Sequence, residues 1–196
     1  MIPRNVQITL VLLFALVFVS GVYIVHLRRG TQENLRDVAE EHTVAPPVSG
    51  KQEAVRLTIA YDDDGVFRSR QRVGVLPDEP ESRAKAILQL LIDQYTSRPS
   101  PHPLAPGSAV RTVFLVNGKL AVLDLNEEFV EGHRSGIMVE DFTLLSLIDT
   151  LAANSPGLEQ VKFLVDGEER ETLAGHADLK TIYNTAAVHK LVEQLQ

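Results

Sequence analysis

Three side chains that could form a hydrolytic triad lie within nine positions of one another: His133, Ser135 and Asp141. Such a triad needs a nucleophile on a sharp turn and a preformed oxyanion hole. The surrounding Gly-His-Arg-Ser-Gly sequence, residues 132–136, lacks the G-x-S-x-G spacing of a nucleophile elbow. The pattern is more typical of a loop before a helix, where Glu140 and Asp141 would be stabilised by the positive end of the helix dipole.

His176 and Asp178 flank Ala177 and could supply two ligands to a metal ion. A catalytic zinc site needs three protein ligands and one open position, and the neighbouring sequence offers no third ligand. The pair is therefore interpreted as fixing a turn by hydrogen bonds, and no metal or cofactor is predicted. The chain has no cysteine, which excludes disulfides, thiol catalysis and thiolate metal sites. His102 and His189 stand alone in the sequence and are expected to be exposed.

An acidic turn, Asp62-Asp63-Asp64-Gly65, could bind a cation. A calcium loop of the EF-hand type needs oxygen ligands at alternate positions and a closing Glu. Phe67, Ser69 and Gln71 stand where those ligands would be required. The segment is therefore predicted to be a solvated turn.

Net charge and composition limit the classes of molecule that this chain is expected to bind. The formal net charge is −7, there is no Trp, and aromatic residues make up 6% of the chain. An acidic balance argues against nucleic acid or anionic lipid headgroups as main partners, since both require basic patches. The low aromatic content argues against a stacking surface for bases or sugars.

Residues 8–27 contain no Lys, Arg, Asp or Glu. About 20 apolar residues suffice for a helix to cross a hydrocarbon core ~30 Å thick. We therefore predict a transmembrane signal anchor at 8–27, with a short tail at 1–7 and a polar linker at 28–50. The alternative is a cleaved signal peptide, whose apolar core of ~7–15 residues is shorter. The positive charges on the two sides of the span are nearly equal, so charge alone leaves the orientation open.

The rest of the chain alternates between strand and helix patterns. Alternating apolar residues from Val55 predict a first strand, and the second strand carries Arg68, Arg70 and Arg72 on one face. The three arginines are interpreted as charges that keep an edge strand soluble. They are also the residues we select for a possible interaction surface.

Capping and turn signals complete the prediction. Residues 78–81, Asp-Glu-Pro-Glu, indicate a helix start, and Asn117-Gly118 indicates a tight hairpin. A very apolar helix is predicted from about Ile137, and helical potential returns from Leu179 to Leu195. The predicted order is β-β-α-β-β-α-β, an α+β fold in which two helices pack on one face of a small mixed β-sheet.

Several motifs in this order resemble the GerMN domain, the sporulation and germination module named after the germination protein GerM. They are a hairpin ending in Asp124-Leu125, a helix containing Leu-Leu-Ser-Leu-Ile-Asp-Thr-Leu, a strand ending in Val-Asp-Gly, and the closing Leu-x-Gly-His-x-Asp-Leu at 173–179. The resemblance places the domain at 51–179, followed by a helical extension at 180–196. It implies a fold similar to the ring-building motifs of spore channel proteins and a membrane-tethered extracytoplasmic domain without catalysis. Family members often carry a lipid-anchored cysteine, which the predicted span would replace here.

We expect a non-catalytic interaction or scaffold domain of the bacterial cell envelope, held at the cell membrane by one span. The expected partners are envelope proteins or peptidoglycan, with a second copy of the chain also possible and nucleic acid not expected. Two alternatives stay open. One is a membrane-tethered hydrolase or amidase that uses His133, His176 and nearby carboxylates such as Asp178. The other is a module that binds a small ligand or glycan between the helices and the sheet.

Overall fold

The computed structural model describes residues 50–196. The predicted tail, the predicted membrane span at 8–27 and all but the last residue of the predicted linker lie outside the described residues. Among residues 50–196, no helix is both long enough and apolar enough to cross a bilayer. The described elements, in chain order, are β1 (Gly50–Tyr61), β2 (Val66–Pro77), α1 (Pro80–Thr96), β3 (Val110–Val116), β4 (Leu120–Leu125), α2 (Glu127–Glu131), α3 (Ile137–Asn154), β5 (Gln160–Val165), β6 (Tyr183–Asn184) and α4 (Thr185–Gln194).

The strands form two sheets, where a single sheet was predicted. β1 and β2 make an antiparallel two-stranded hairpin, paired from Gly50–Pro77 to Tyr61–Val66. The second sheet has the order β3-β4-β5-β6, in which β4 and β5 run parallel and the other pairs run antiparallel. The mixed α+β class is confirmed. The described residues contain four helices and two sheets, so the prediction of two helices on one face of a single mixed sheet is wrong.

Local sequence signals account for the ends of several elements. The Glu79 side chain caps α1 by accepting from the backbone N–H groups of Glu81 and Ser82, and Pro80 opens the helix. Asn117 and Gly118 have φ angles of 53° and 68°, as a type I′ hairpin turn between β3 and β4 requires. The helix start and the hairpin are therefore confirmed. The predicted helical stretch from Leu179 is shorter in the structure, because residues 179–182 are irregular, β6 follows, and α4 begins only at Thr185.

Apolar side chains from both sheets and from α1, α3 and α4 form one core. Val55, Leu57 and Ile59 of β1 are buried on one face of the hairpin. α1 packs on this hairpin and also along β3. Gly74 faces α1 at this contact, and an added Cβ would lie 2.5 Å from a Leu90 methyl carbon.

Side chains close the outer edge of β1 and separate the two sheets. The backbone N–H of Thr58 donates to Thr150 Oγ1 at 2.9 Å, and the N–H of Ala60 donates to the Tyr95 hydroxyl at 2.9 Å. The Asn154 amide pairs with both the N–H and the C=O of Arg56, at 3.0 and 2.7 Å. Since α1 and α3 satisfy these groups, β1 pairs with β2 alone. This is the physical reason for two sheets.

We predict that Tyr95→Phe lowers the free energy of unfolding by about 2 kcal/mol, because the buried Ala60 N–H loses its acceptor. The matched control is Tyr61→Phe on the same hairpin, whose hydroxyl makes no hydrogen bond within the described residues. The control should change stability by less than about 0.5 kcal/mol. Urea unfolding of both variants measures the difference, and equal effects would contradict the proposed role of this hydroxyl.

Candidate functional site

The most heavily bonded side chain described here is Glu140, in the first turn of α3. It is fully buried, and its carboxylate accepts hydrogen bonds from the backbone N–H groups of Ala174, His176 and Ala177 at 2.9, 2.9 and 3.0 Å. It also accepts from the Gly136 N–H at 3.0 Å and pairs with His176 Nδ1 at 2.9 Å. One carboxylate therefore holds the closing Leu-x-Gly-His-x-Asp-Leu segment against the start of α3.

Burial alone would raise the pKa of Glu140. The hydrogen bonds from the Gly136 N–H, the His176 ring and the N–H groups of Ala174 and Ala177 outweigh that effect and lower the pKa to about 2. The carboxylate is therefore ionised across the physiological range. Its hydrogen-bonding capacity is used inside the fold, which leaves it poorly suited to act as a general acid or base.

A second polar cluster is built from two histidines that share one hydroxyl. Thr143 Oγ1 lies 2.6 Å from His102 Nε2 and 2.7 Å from His133 Nε2. The other ring nitrogen of His102 lies 2.6 Å from Asp62 Oδ1, and that of His133 lies 2.7 Å from the Arg134 carbonyl. Arg134 also pairs with Asp62 and closes the cluster on its outer side.

The hydrogen-bonding capacity of Thr143 is used inside this cluster. Its hydroxyl oxygen lies within hydrogen-bond distance of both Nε2 atoms and of the Val139 carbonyl, and a hydroxyl has one proton to donate and two lone pairs to accept with. His102 Nδ1 faces the Asp62 carboxylate, whereas burial lowers the pKa of His133.

The Asp62 carboxyl responds to the same neighbours. Burial opposes its ionisation, but the hydrogen bond and charge of His102, followed by those of Arg134, lower its pKa below the ordinary value. The expectation of a solvated acidic turn is therefore wrong for Asp62, because its side chain turns inward to His102. His102 is likewise fully buried, which corrects the prediction that it is exposed.

The order Asp62–His102–Thr143 has the connectivity of an acid–base–nucleophile triad. Thr143 is fully buried, however, and its hydroxyl also donates toward the Val139 carbonyl at 3.1 Å. A nucleophile must reach its substrate, and this hydroxyl has no exposed surface. The arrangement joins the loop of His102 to α3 in the interior.

The residues predicted from sequence are distributed among separate contacts. His133 bonds to Thr143, whereas His176 bonds to Glu140 and lies 3.4 Å from Ser135 Oγ. Asp178 forms a local turn with the N–H of Lys180 and the hydroxyl of Thr181. No contact joins His133, His176 and Asp178 to one another within residues 50–196. The same residues contain no group of three or more His, Asp or Glu side chains placed to hold a metal ion.

His189 belongs to a third contact and lines a cleft. Its Nδ1 lies 2.8 Å from Asp149 Oδ1, and Asp149 also accepts from the Thr58 hydroxyl at 2.5 Å. The cleft has a volume of about 320 Å³ and is lined by Arg56, Asp149, Ala152, Ala153, Leu158, Thr185, Ala186 and His189. Its lining contains no aromatic Phe, Tyr or Trp, so it offers no stacking surface for a sugar ring.

The arginine stripe lies on the exposed part of β2. Arg68 pairs with Asp64 at 2.7 Å and covers the Tyr61 ring, and Arg72 donates to the Gln94 side chain at 2.6 Å. Arg70 has no hydrogen-bond or ion-pair partner in the part of the chain that is described. The stripe is therefore an exposed cationic surface on which, within the described residues, Arg68 is paired with a carboxylate and Arg70 and Arg72 are not.

Sequence reasoning missed the residues that organise the interior polar contacts. Thr143 and Asp149 lie within the apolar pattern of α3 and look like tolerated polar positions in a buried helix. A signal was available in their number, because α3 buries five polar or charged side chains: Glu140, Thr143, Ser146, Asp149 and Thr150. Buried polar groups require hydrogen-bond partners. The number of polar residues in α3 therefore predicts that such hydrogen bonds exist, but it does not identify the partner residues.

We predict that Glu140→Gln lowers the free energy of unfolding by about 3 kcal/mol at pH 7, because the folded-state pKa of about 2 lies well below the ordinary 4.5. The stabilisation by Glu140 is complete above the unfolded pKa and is lost as pH falls toward 2. The difference between wild type and variant should therefore shrink between pH 5 and pH 2. Chemical denaturation across this range measures it, with the exposed Glu131→Gln as control. A difference that is independent of pH would contradict the assignment.

The model of the family "Germane: Sporulation and spore germination" matches residues 50–171. No curated protein matches. Among solved structures, the first GerMN domain of the Bacillus subtilis sporulation protein GerM is 20% identical over 66% of this chain and 94% of its own, with a TM-score of 0.47.

Two further structures are similar to the chain. The tandem GerMN domains of Bacillus subtilis GerM are 18% identical, with a TM-score of 0.49, over 67% of this chain and 45% of that one. A candidate lipoprotein of Clostridium perfringens is 19% identical, with a TM-score of 0.48, over 72% of this chain and 93% of that one. The family match confirms the resemblance identified from the sequence motifs. The chain belongs to the Germane family of sporulation and spore germination domains.

Proposed function

We propose that this chain is a non-catalytic interaction domain of the bacterial cell envelope, tethered to the membrane by residues 8–27 and acting outside the cytoplasm. Membership of a sporulation and germination family supports the setting. The uncharged run at 8–27 supports the tether, because its length fits a bilayer. The linker then lets the folded domain reach partners near the membrane surface.

One observation carries the non-catalytic assignment. The groups best suited to chemistry are Glu140, His102 and Thr143, and all three are fully buried. His102 and Thr143 are hydrogen-bonded to each other, and Glu140 is hydrogen-bonded to the closing segment. A substrate would have to break these contacts before it reached a reactive atom. The hydrolase alternative also needs His133 and His176 in one site, and their hydrogen bonds lead to different partners. The geometry therefore favours a domain that works through its surface.

The surface we assign to this function is the exposed part of β2 with Arg68, Arg70 and Arg72. It places three cations on a domain whose chain carries a net charge of −7. Because Arg70 has no internal partner, an acidic group on a binding partner could pair with it at no cost to the fold. Clustered charges of one sign mainly increase association rate and selectivity. An envelope protein with an acidic surface is the partner that this surface fits.

We predict that replacing Arg68, Arg70 and Arg72 together by Glu removes partner crosslinks of the full chain in intact membranes. The matched control replaces three exposed basic residues elsewhere, Arg98, Arg170 and Lys190, by Glu, and thus makes the same change in net charge. Crosslinking followed by mass spectrometry should show the partner in wild type and control but not in the stripe variant. Unchanged crosslinks in the stripe variant would contradict this surface.

The proposal also predicts the location of the domain. Protease added to spheroplasts should digest residues 50–196 without lysis of the membrane, because the domain lies outside. A cytoplasmic protein serves as the control for membrane integrity. Digestion only after lysis would overturn the extracytoplasmic assignment.

A further inference from the structure

The outer edge of β2 carries unpaired backbone groups. The Phe67 N–H does not face β1; it donates to the Leu195 carbonyl at 2.7 Å. In an antiparallel ladder successive N–H groups alternate between the two edges. The N–H groups of Ser69, Gln71, Val73 and Val75 therefore face the same outer side as that of Phe67, and they have no hydrogen-bond partner within the described residues.

Side chains occupy part of the corresponding edges of β1 and β3. Side chains of α1 and α3 accept from the β1 edge at Arg56, Thr58 and Ala60. Along β3, the Leu115 N–H donates to Glu81 at 3.0 Å and the Arg111 carbonyl accepts from Lys85 at 2.6 Å. Natural sheets close or charge their edges to prevent unwanted pairing. On the β2 edge, by contrast, the backbone between Ser69 and Val75 stays open.

The side chains beside this open edge have a defined pattern. Val73 and Val75 are 69% and 45% exposed, which is unusual for neighbouring apolar residues on one strand face. The opposite face carries Arg70 and Arg72. A strand added here would meet apolar side chains on one of its faces and cations on the other, because side chains alternate across a strand.

We propose that an extended acidic segment of a different protein adds to this edge as a third strand, pairing with β2 between Ser69 and Val75. This inference rests on the proposed function and specifies its binding mode. Main-chain hydrogen bonds to Gln71 and Val73 supply the docking, as in other cases of strand addition. Acidic side chains opposite Arg70 and Arg72, alternating with apolar ones opposite Val73 and Val75, supply the selectivity.

Charge argues against a second copy of this chain as the occupant. If two β2 edges paired antiparallel about a twofold axis near Arg70, the arginines of one copy would face those of the other. Like charges directly opposite each other destabilise a strand pair. Pairing of β2 with the β1 edge of another copy would require Tyr95, Thr150 and Asn154 to release their contacts. A segment of opposite charge meets neither obstacle.

The test uses the full chain in detergent micelles and a capped heptapeptide of alternating Glu and Val, with a Lys-Val peptide as the charge control. We expect the Glu-Val peptide to bind and the Lys-Val peptide not to bind. Two further peptides carry N-methyl groups on every Val or on every Glu. An antiparallel strand presents its Val N–H groups to β2 and a parallel strand its Glu N–H groups, so one N-methylated peptide should lose binding and the other retain it. Equal behaviour of the two would overturn strand addition.

Variants of the protein complete the test. Gln71→Pro removes an outward N–H without touching the β1 ladder, and it should weaken binding at least about tenfold, whereas Gln71→Ala should not. Arg70→Glu with Arg72→Glu should also weaken binding about tenfold. Gln71→Pro is compared with the arginine stripe variant, which is expected to lose the partner crosslinks. If Gln71→Pro retains both the peptide affinity and these crosslinks, strand addition is wrong but the proposed function stands. A dimer of the full chain that Gln71→Pro dissociates would identify a second copy as the occupant and overturn the proposal.

Discussion

The hydrogen bonds that close the outer edge of β1 determine the architecture of this domain. A hairpin of twelve residue pairs has two free edges, and each unpaired, buried backbone group carries a desolvation cost. At Arg56, Thr58 and Ala60 the β1 edge is satisfied by side chains of Asn154, Thr150 and Tyr95 instead of by another strand. The hairpin consequently remains separate from the β3–β6 sheet, α3 is fixed alongside it, and the open backbone of the hairpin lies on β2.

The interior polar contacts likewise use side chains to satisfy buried groups and to hold neighbouring segments together. Glu140 holds the closing segment of the family motif to the first turn of α3, and Thr143 joins two histidines to Asp62. These residues resemble catalytic groups in type and connectivity, yet each is buried and satisfied by the fold. Their chemistry therefore stabilises one arrangement of loops around α3. The surface with the arginines and exposed valines is the one that we propose for binding another molecule.

The sequence predicted those features that depend on local chemistry. The Glu79-Pro80 start of α1, the Asn117-Gly118 turn and the apolar helix from Ile137 follow from capping, φ preference and periodicity, and the structure contains all three. The number of sheets was wrong, because alternation identifies a strand without naming the neighbour of its edge. His102 was misjudged for a related reason: its partners, Asp62 and Thr143, lie 40 and 41 positions away. Long-range pairing of polar groups leaves no periodic signal in the chain.

Amide hydrogen exchange of the full chain, resolved by residue with NMR, tests whether the hairpin is closed by side chains at Arg56–Ala60 of β1 and open at Ser69–Val75 of β2. Thr58 and Ala60 should exchange slowly, because buried side-chain oxygens accept their N–H groups. Ser69, Gln71 and Val73 should exchange rapidly in the free chain. Rapid exchange at Thr58 and Ala60, or protection of Ser69, Gln71 and Val73 without a partner, would contradict the account.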